Sequence, residues 1–288
     1  MMYYKLFRIF VGEMDYTINV KGQLVDFSEP QVMGILNVTP DSFFAGSRKQ
    51  TEQEIAERVG QIVAEGATMI DIGGYSTRPN AEWLTEAEEM ERLRFGLTVV
   101  RREQPAVIVS VDTFRPDVAR MAVEEFGADI INDVGAPAAS QPLSTTYRQD
   151  MFRMVSRLRI PYILMSTKPT LYDMLIGFAD EVQQLRDLAQ KDIILDPGFG
   201  FGKTLEQNFE VLRNMEQLKI MELPILAGIS RKSMIFKALG TTPDKALNGT
   251  TVLNTIALQK GASILRVHDV REAMECIKLM KLCSLNLD

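Results

Sequence analysis

Nine polar or charged residues stand at or just beyond the ends of short apolar runs: Asn37, Asp71, Asp112, Asn132, Asp196, Ser230, Lys232, Arg266 and His268. Their types divide into two chemistries. Asp112, Asn132 and Asp196 are hydrogen-bond acceptors, and a planar heterocycle with an amino-amidine edge offers a carboxylate two parallel donors. Arg266 and His268, with Arg78 from a loop and Asn37 as a hard-oxygen cation ligand, suit a phosphate or diphosphate instead. The turn 230–233, Ser-Arg-Lys-Ser, opens a helix whose first amides can take a second anion such as a carboxylate. A flat ring edge, an anionic leaving group and a separate carboxylate together point to group transfer. Bland readings compete at four positions, one of them His268, since a lone histidine in a chain is more often structural. Asp71 reads equally as a brace for backbone amides of its own loop, Asp133 as a cap or bracing group on the face opposite Asn132, and Met165 as core by residue type.

These residues converge only if the chain supplies a frame. Apolar runs at 32–36, 69–72, 106–111, 129–131, 162–165, 193–195, 225–229 and 263–267 alternate with helical segments, which makes about eight βα units with no linker between them. The pattern predicts an α/β fold, a (β/α)8 TIM barrel spanning 31–288 as a single domain. An open doubly wound sheet is the runner-up, and the first unit lacks the dinucleotide fingerprint such a sheet would most often carry. Residues 1–30 read as an extension with a β-hairpin, 16–20 and 23–27 around Lys21-Gly22, either closing the bottom of the barrel or decorating an edge. Thr51-Glu-Gln-Glu reads as a capping box opening a helix to about residue 65. Residues two apart on a strand share a face, so Ser110 with Asp112, Ile194 with Asp196, Gly228 with Ser230 and Arg266 with His268 point the same way. A barrel gathers such strand ends at its C-terminal rim, where buried polar groups cost stability unless a ligand satisfies them.

Composition bounds the partners. A net charge of −6 at pH 7 argues against a nucleic-acid backbone, and 46% hydrophobic with 24% charged residues is globular in proportion. No run reaches membrane-span length, and Lys5 and Arg8 break the apolar N-terminus with no cleavage site after it, so neither membrane nor signal peptide is expected. Cys276 and Cys283, seven residues apart, match no metal or disulfide framework and suit a reducing cytoplasm. The loop 198–204, Gly-Phe-Gly-Phe-Gly-Lys-Thr, is one residue too short for a Walker loop and misses GxGxxG; its glycines let the backbone and Phe201 approach a flat ligand closely.

Taken together, GILNVTPDSF at 34–43, DIGGYSTRP at 71–79, SVDT at 110–113, IND at 131–133, DPGFGFGKT at 196–204, SRKS at 230–233 and RVHDV at 266–270 resemble the dihydropteroate synthases of the pterin-binding enzymes. The blocks come in the right order and cover nearly all of the chain after residue 30. The resemblance implies a transferase of folate synthesis that joins 4-aminobenzoate to 6-hydroxymethyl-7,8-dihydropterin diphosphate and releases diphosphate. It implies that Asp112, Asn132, Met165, Asp196, Phe201 and Lys232 hold the pterin. Asn37, Arg78, Arg266 and His268 would hold the diphosphate, with Mg2+ on Asn37, and Phe43, Thr77, Pro79 and Ser233 would hold 4-aminobenzoate. Lys232, Asp112 and Arg78 are the residues it makes catalytic, and a homodimer is the assembly it implies.

The resemblance departs in two places. Tyr75 stands where these enzymes commonly have glutamate, and Leu-Met-Ser-Thr-Lys-Pro-Thr at 164–170 replaces an MHM-type segment followed by Gly-Thr-Pro. Met165 and the other site residues remain, so an active enzyme is expected. The alternatives are a non-catalytic pterin-binding paralogue and a methyltetrahydrofolate methyltransferase of the broader group, which the aminobenzoate loops disfavour.

Overall fold

The computed structural model describes residues 16–38, 48–75, 84–135 and 146–284. The chain enters as an antiparallel hairpin, β1 (Thr17–Val20) and β2 (Gln23–Asp26). Lys21 and Gly22 take φ of 49° and 86° at its turn, the two positive values that a tight hairpin loop needs. The parallel strands follow: β3 (Gln31–Asn37), β4 (Met69–Gly73), β5 (Ile108–Asp112), β6 (Ile130–Asp133), β7 (Tyr162–Met165), β8 (Ile193–Asp196), β9 (Leu226–Ala227) and β10 (Ile264–Val267). They form one sheet in the order β8-β7-β6-β5-β4-β3-β10-β9. A parallel bridge from Leu195 to Ile225 joins its two edges, so the sheet closes into the expected barrel rather than staying open.

Helices α1 (Arg48–Ala64), α2 (Glu86–Glu103), α3 (Pro116–Phe126), α4 (Tyr147–Leu158), α5 (Leu171–Asp187), α6 (Leu205–Arg213), α7 (Ser233–Ala238), α8 (Leu247–Gln259) and α9 (Val270–Ser284) surround the sheet. Strand residues alternate between two apolar regions. Val32, Ile70, Val109, Ile131, Leu164, Leu195 and Leu265 pack outward in the helix-facing core, while Met33, Met69, Ile130, Ile163, Ile194, Leu226 and Ile264 fill the barrel interior. No helix among the described residues is long and apolar enough to cross a membrane.

Two local readings need correction. Thr51 lies inside α1, which opens at Arg48; a capping hydroxyl requires extended backbone at its own residue, and Thr51 is helical and buried. The apolar run 225–229 yields a strand of only Leu226–Ala227, because the chain turns at once through Ile229–Lys232, with Arg231 at φ 54°. The capping chemistry does hold elsewhere, at Thr85 with Glu88 and at Thr204 with Gln207.

Of the two readings of the hairpin, closure of the bottom is correct. Ile18, Val20 and Phe27 are buried against the interior residues of β3 to β10. Asn19 N–H donates to Asp192 Oδ1 at 2.7 Å, and Lys21 pairs with Asp129 at 2.5 Å. With the N-terminal end filled by apolar side chains, the opposite rim is where interior polar groups can meet a ligand. Ile18→Ala is expected to lower stability by about 2–4 kcal/mol in urea unfolding. Leu24→Ala, on the exposed face of the same hairpin, should cost under about 0.5 kcal/mol. Equally small effects at both positions would return the hairpin to an edge ornament.

Candidate functional site

Register brings the rim residues together. Asn37 pairs with Gly73, Gly73 with Asp112 and Asp112 with Asn132 across adjacent strands, and Met165 pairs with Asp196. Paired residues face one side, and Asn132, Met165, Asp196 and Arg266 each lie two beyond an interior residue, Ile130, Ile163, Ile194 and Ile264. All of them therefore point into the barrel.

Arg266 occupies the centre of this layer. Its Nε donates to Asp71 Oδ2 at 2.6 Å and its Nη2 to Asp112 Oδ2 at 2.9 Å. Asn132 Nδ2 adds a third contact, to the same Asp71 oxygen at 3.0 Å. Among the described residues Asp71 thus accepts from two side chains on other strands and from no amide of its loop. Burial pushes the Asp112 carboxyl up to about 8, against the pull of Arg266 and with the help of the Asp71 charge. Burial also works against the Arg266 charge, but Asp71 and Asp112 outweigh it and raise the guanidinium above its ordinary value. Two acids share one cation, and Asp71 Oδ1, Asn132 Oδ1 and Ser110 Oγ are buried without a partner among the described residues. Unsatisfied acceptors in an interior are costly, and here they adjoin the open end.

The loop after β8 forms a second wall. Asp196 Oδ1 accepts Gly198 N–H at 2.7 Å. Lys232 Nζ donates to Phe199 O and lies 4.5 Å from the centroid of the Phe201 ring. Burial raises Asp196 while Lys232 holds it back, and burial lowers Lys232 to about 8 while Asp196 holds it up. Lys203 Nζ donates to Ser166 O, Gly198 O and Phe201 O at 3.1, 3.0 and 3.2 Å.

The third side comes from the turns after β9 and β10. His268 N–H donates to Ser230 Oγ at 3.2 Å, and Arg231 clamps the turn through two 2.8 Å bonds to Asp269 and through Pro243 O and Asp244 O. Ser233 is the first residue of α7. Asp133 is the bracing group expected of it, accepting Gly135 N–H at 2.8 Å, the Tyr162 hydroxyl at 2.6 Å and Arg148 Nη1 at 3.3 Å. Phe43, Thr77, Arg78 and Pro79 lie outside the described residues. Just before the last three, Tyr75 packs edge-on to Phe114 at 5.8 Å, with the Arg115 guanidinium 5.6 Å from its ring.

Asn37, Asp112, Asn132, Met165, Asp196 and Arg266 thus share the rim layer, with Phe201, Lys232 and His268 around it. Reading strand ends missed that Arg266 belongs to the acids as much as to the anion side. It also missed Lys203 and Phe199. Asp71 pairs with Ser110, two before the pairing of Gly73 with Asp112, so it lies on the interior face with the rim set in which its sequence position groups it.

A family model described as "Pterin binding enzyme" matches residues 33–268. Dihydropteroate synthase of Escherichia coli K12 is 34% identical over 267 residues, 91% of this chain and 94% of that protein. The structure of Xanthomonas albilineans dihydropteroate synthase with 4-aminobenzoic acid superposes with a TM-score of 0.82 at 30% identity, covering 94% of this chain and 99% of the other. A Yersinia pestis dihydropteroate synthase with a sulfonamide drug gives 0.80 at 32% identity, over 93% and 99%. Sequence along nearly the whole chain and the closed barrel agree: the chain belongs to the pterin-binding enzyme family, within its dihydropteroate synthases.

Proposed function

We propose that the chain condenses 6-hydroxymethyl-7,8-dihydropterin diphosphate with 4-aminobenzoate, giving 7,8-dihydropteroate and diphosphate. The observation that carries the reading is the acid-rich layer around Arg266, in which buried acceptors without donors adjoin a guanidinium whose Nη1 has no protein partner among the described residues. Asp112, Asn132 and Asp196 accept from the amino-amidine edge of the pterin, with Lys232, Met165 and Phe201 against its ring. Arg266, His268, Asn37 and, by family resemblance, Arg78 take the diphosphate; Ser233, Phe43, Thr77 and Pro79 take the aminobenzoate.

An arylamine is a weak nucleophile, so departure of diphosphate runs ahead of attack. The methylene carbon–oxygen bond breaks with its electron pair on the diphosphate, the amine nitrogen forms the new carbon–nitrogen bond, and that nitrogen gives up a proton. Acceptor oxygens fixed beside the ring stabilise the positive charge that develops there, and exclusion of water prevents its capture. Among the described residues no cluster of three or more His, Cys, Asp or Glu could hold a metal alone. A side chain at Gly73 would place its Cβ 3.8 Å from Asp112 Oδ2 and 3.9 Å from Asn37 Oδ1. These oxygens flank Gly73 from the neighbouring strands, and the Asn37 oxygen is a hard ligand of the kind Mg2+ accepts, the ion taking most of its other ligands from water and phosphate. When bound, it would neutralise charge on the departing diphosphate.

Val252 on α8 and Leu279 and Leu282 on α9, helices that pack together, are at least half exposed. They support a second copy of the chain as partner, and sedimentation equilibrium is expected to give twice the chain mass; a monomer at micromolar concentration would remove that partner. The reaction itself is tested by following diphosphate release with and without 4-aminobenzoate alongside the coupled product. Product forming in step with release is expected, whereas pterin binding without release would make the chain a non-catalytic binder.

His268 carries a pH signature. Burial, and after it the Arg266 charge, lowers its imidazole from 6.5 to about 4, so at neutral pH it meets an anion by hydrogen bonding and not by charge. Between these values the unfolded chain binds the proton and the folded chain does not, so this contribution is present above pH 6.5 and is lost as pH falls toward 4. His268→Asn is expected to flatten the stability profile in that window, measured by urea titration at each pH. Parallel profiles would mean that His268 titrates normally.

A further inference from the structure

We propose that Lys203 is a positioning residue of the pterin wall, locking the loop after β7 to the loop after β8 through main-chain carbonyls. The inference rests on the function proposed above. An ammonium has three donors, and those of Lys203 meet three carbonyl oxygens: Ser166 O from one loop, Gly198 O and Phe201 O from the other. Three carbonyl dipoles aimed at one point repel one another unless a cation stands between them. Removing the charge should therefore part the loops.

The loops lie in direct backbone contact. A Cβ at Gly198 would fall 2.2 Å from Ser166 O, and one at Gly202 2.8 Å from Thr167 O, both at positive φ. Ser166 N–H continues the ladder to Asp196 O at 2.9 Å. What Lys203 holds in turn holds the site. Phe201, whose carbonyl it takes, presents its ring to Lys232 Nζ at 4.5 Å, and Phe199 between them accepts from the same Nζ. A Cβ at Gly200 would stand 3.1 Å from Lys232 Cδ, so any outward shift of this loop changes where Lys232 lies.

This contact uses no side chain of 166–167, which is how the segment can carry Ser166 in place of a histidine without losing its seat beside Met165. It also accounts for the loop that resembles a nucleotide-binding motif. The lysine such a motif would turn toward a phosphate is turned inward, onto carbonyls. Arginine is no substitute, because a planar guanidinium cannot converge on three oxygens as an ammonium does.

The test compares wild type with Lys203→Met, using KM values for both substrates and calorimetric binding of 6-hydroxymethylpterin, which needs no turnover. The expected result is a rise of about tenfold or more in the KM for pterin diphosphate and in the pterin Kd, with the KM for 4-aminobenzoate within about twofold. Lys203→Cys in a Cys283→Ser background, alkylated with 2-bromoethylamine, rebuilds an ammonium at nearly the same reach and should restore pterin affinity. If Lys203→Met does not fold, Lys203→Gln replaces it. Unchanged pterin binding in a folded variant, equal losses for both substrates, or no recovery on aminoethylation would each overturn the assignment. A wild-type chain that binds the pterin but forms no dihydropteroate would sink the proposed reaction while leaving the binding comparison intact.

Discussion

A guanidinium between two carboxylates inside a barrel sets the terms for everything around it. Arg266, Asp71 and Asp112 sit on three different strands, and none could be buried alone without a penalty of several kcal/mol. Their mutual satisfaction lets a polar layer exist directly above an interior filled by Met33, Met69, Ile130, Ile163, Ile194, Leu226 and Ile264. Removing one partner of such a set leaves an uncompensated charge, at a typical cost of about 3–5 kcal/mol, so the cluster belongs to the architecture as well as to the chemistry. The set is also incomplete: one positive charge faces two acids, and several acceptors lack donors. The layer is stable enough to form and polar enough to receive a ligand.

Much of this was legible in the residues. The period of two places Asp112, Asn132, Asp196 and Arg266 on interior positions, and the count of βα units implies closure, because both signals are local and repeat along the chain. What escaped depends on distance in space. Asp71 follows the same alternation, but its side-chain partners, Asn132 on β6 and Arg266 on β10, are set by packing across the barrel. Thr51 carries the residues of a cap, yet the helix begins earlier and makes the pattern irrelevant. Lys203 lies in a loop, and its partners are carbonyl oxygens 37 residues back and a few residues away, which no residue type announces.

The two ends of the barrel divide the labour. At the bottom, the hairpin supplies apolar mass and ties to Asp129 and Asp192, contacts that favour the folded chain and carry no chemistry. At the top, short strands end in loops braced by single residues: Arg231 behind the turn before α7, Asp133 beneath the chain after β6, Lys203 between two loops. Each brace works mainly through backbone or through a side chain outside the reacting layer. Side chains of the mouth loops are thereby released from holding those loops together, and substitutions such as those at 166–170 can be absorbed.

The barrel does not close evenly. Strand β9 has two residues, and its joint with β8 is the single bridge between Leu195 and Ile225, whereas β3 and β4 are paired over five positions. This joint is the seam of the cylinder, and local opening favours places with few ladder bonds. Asp196 ends one lip of the seam, and Lys232 follows the other. A molecule gripped by both would act as a rivet across the weakest line of the wall, so occupancy of the mouth and integrity of the cylinder would rise and fall together.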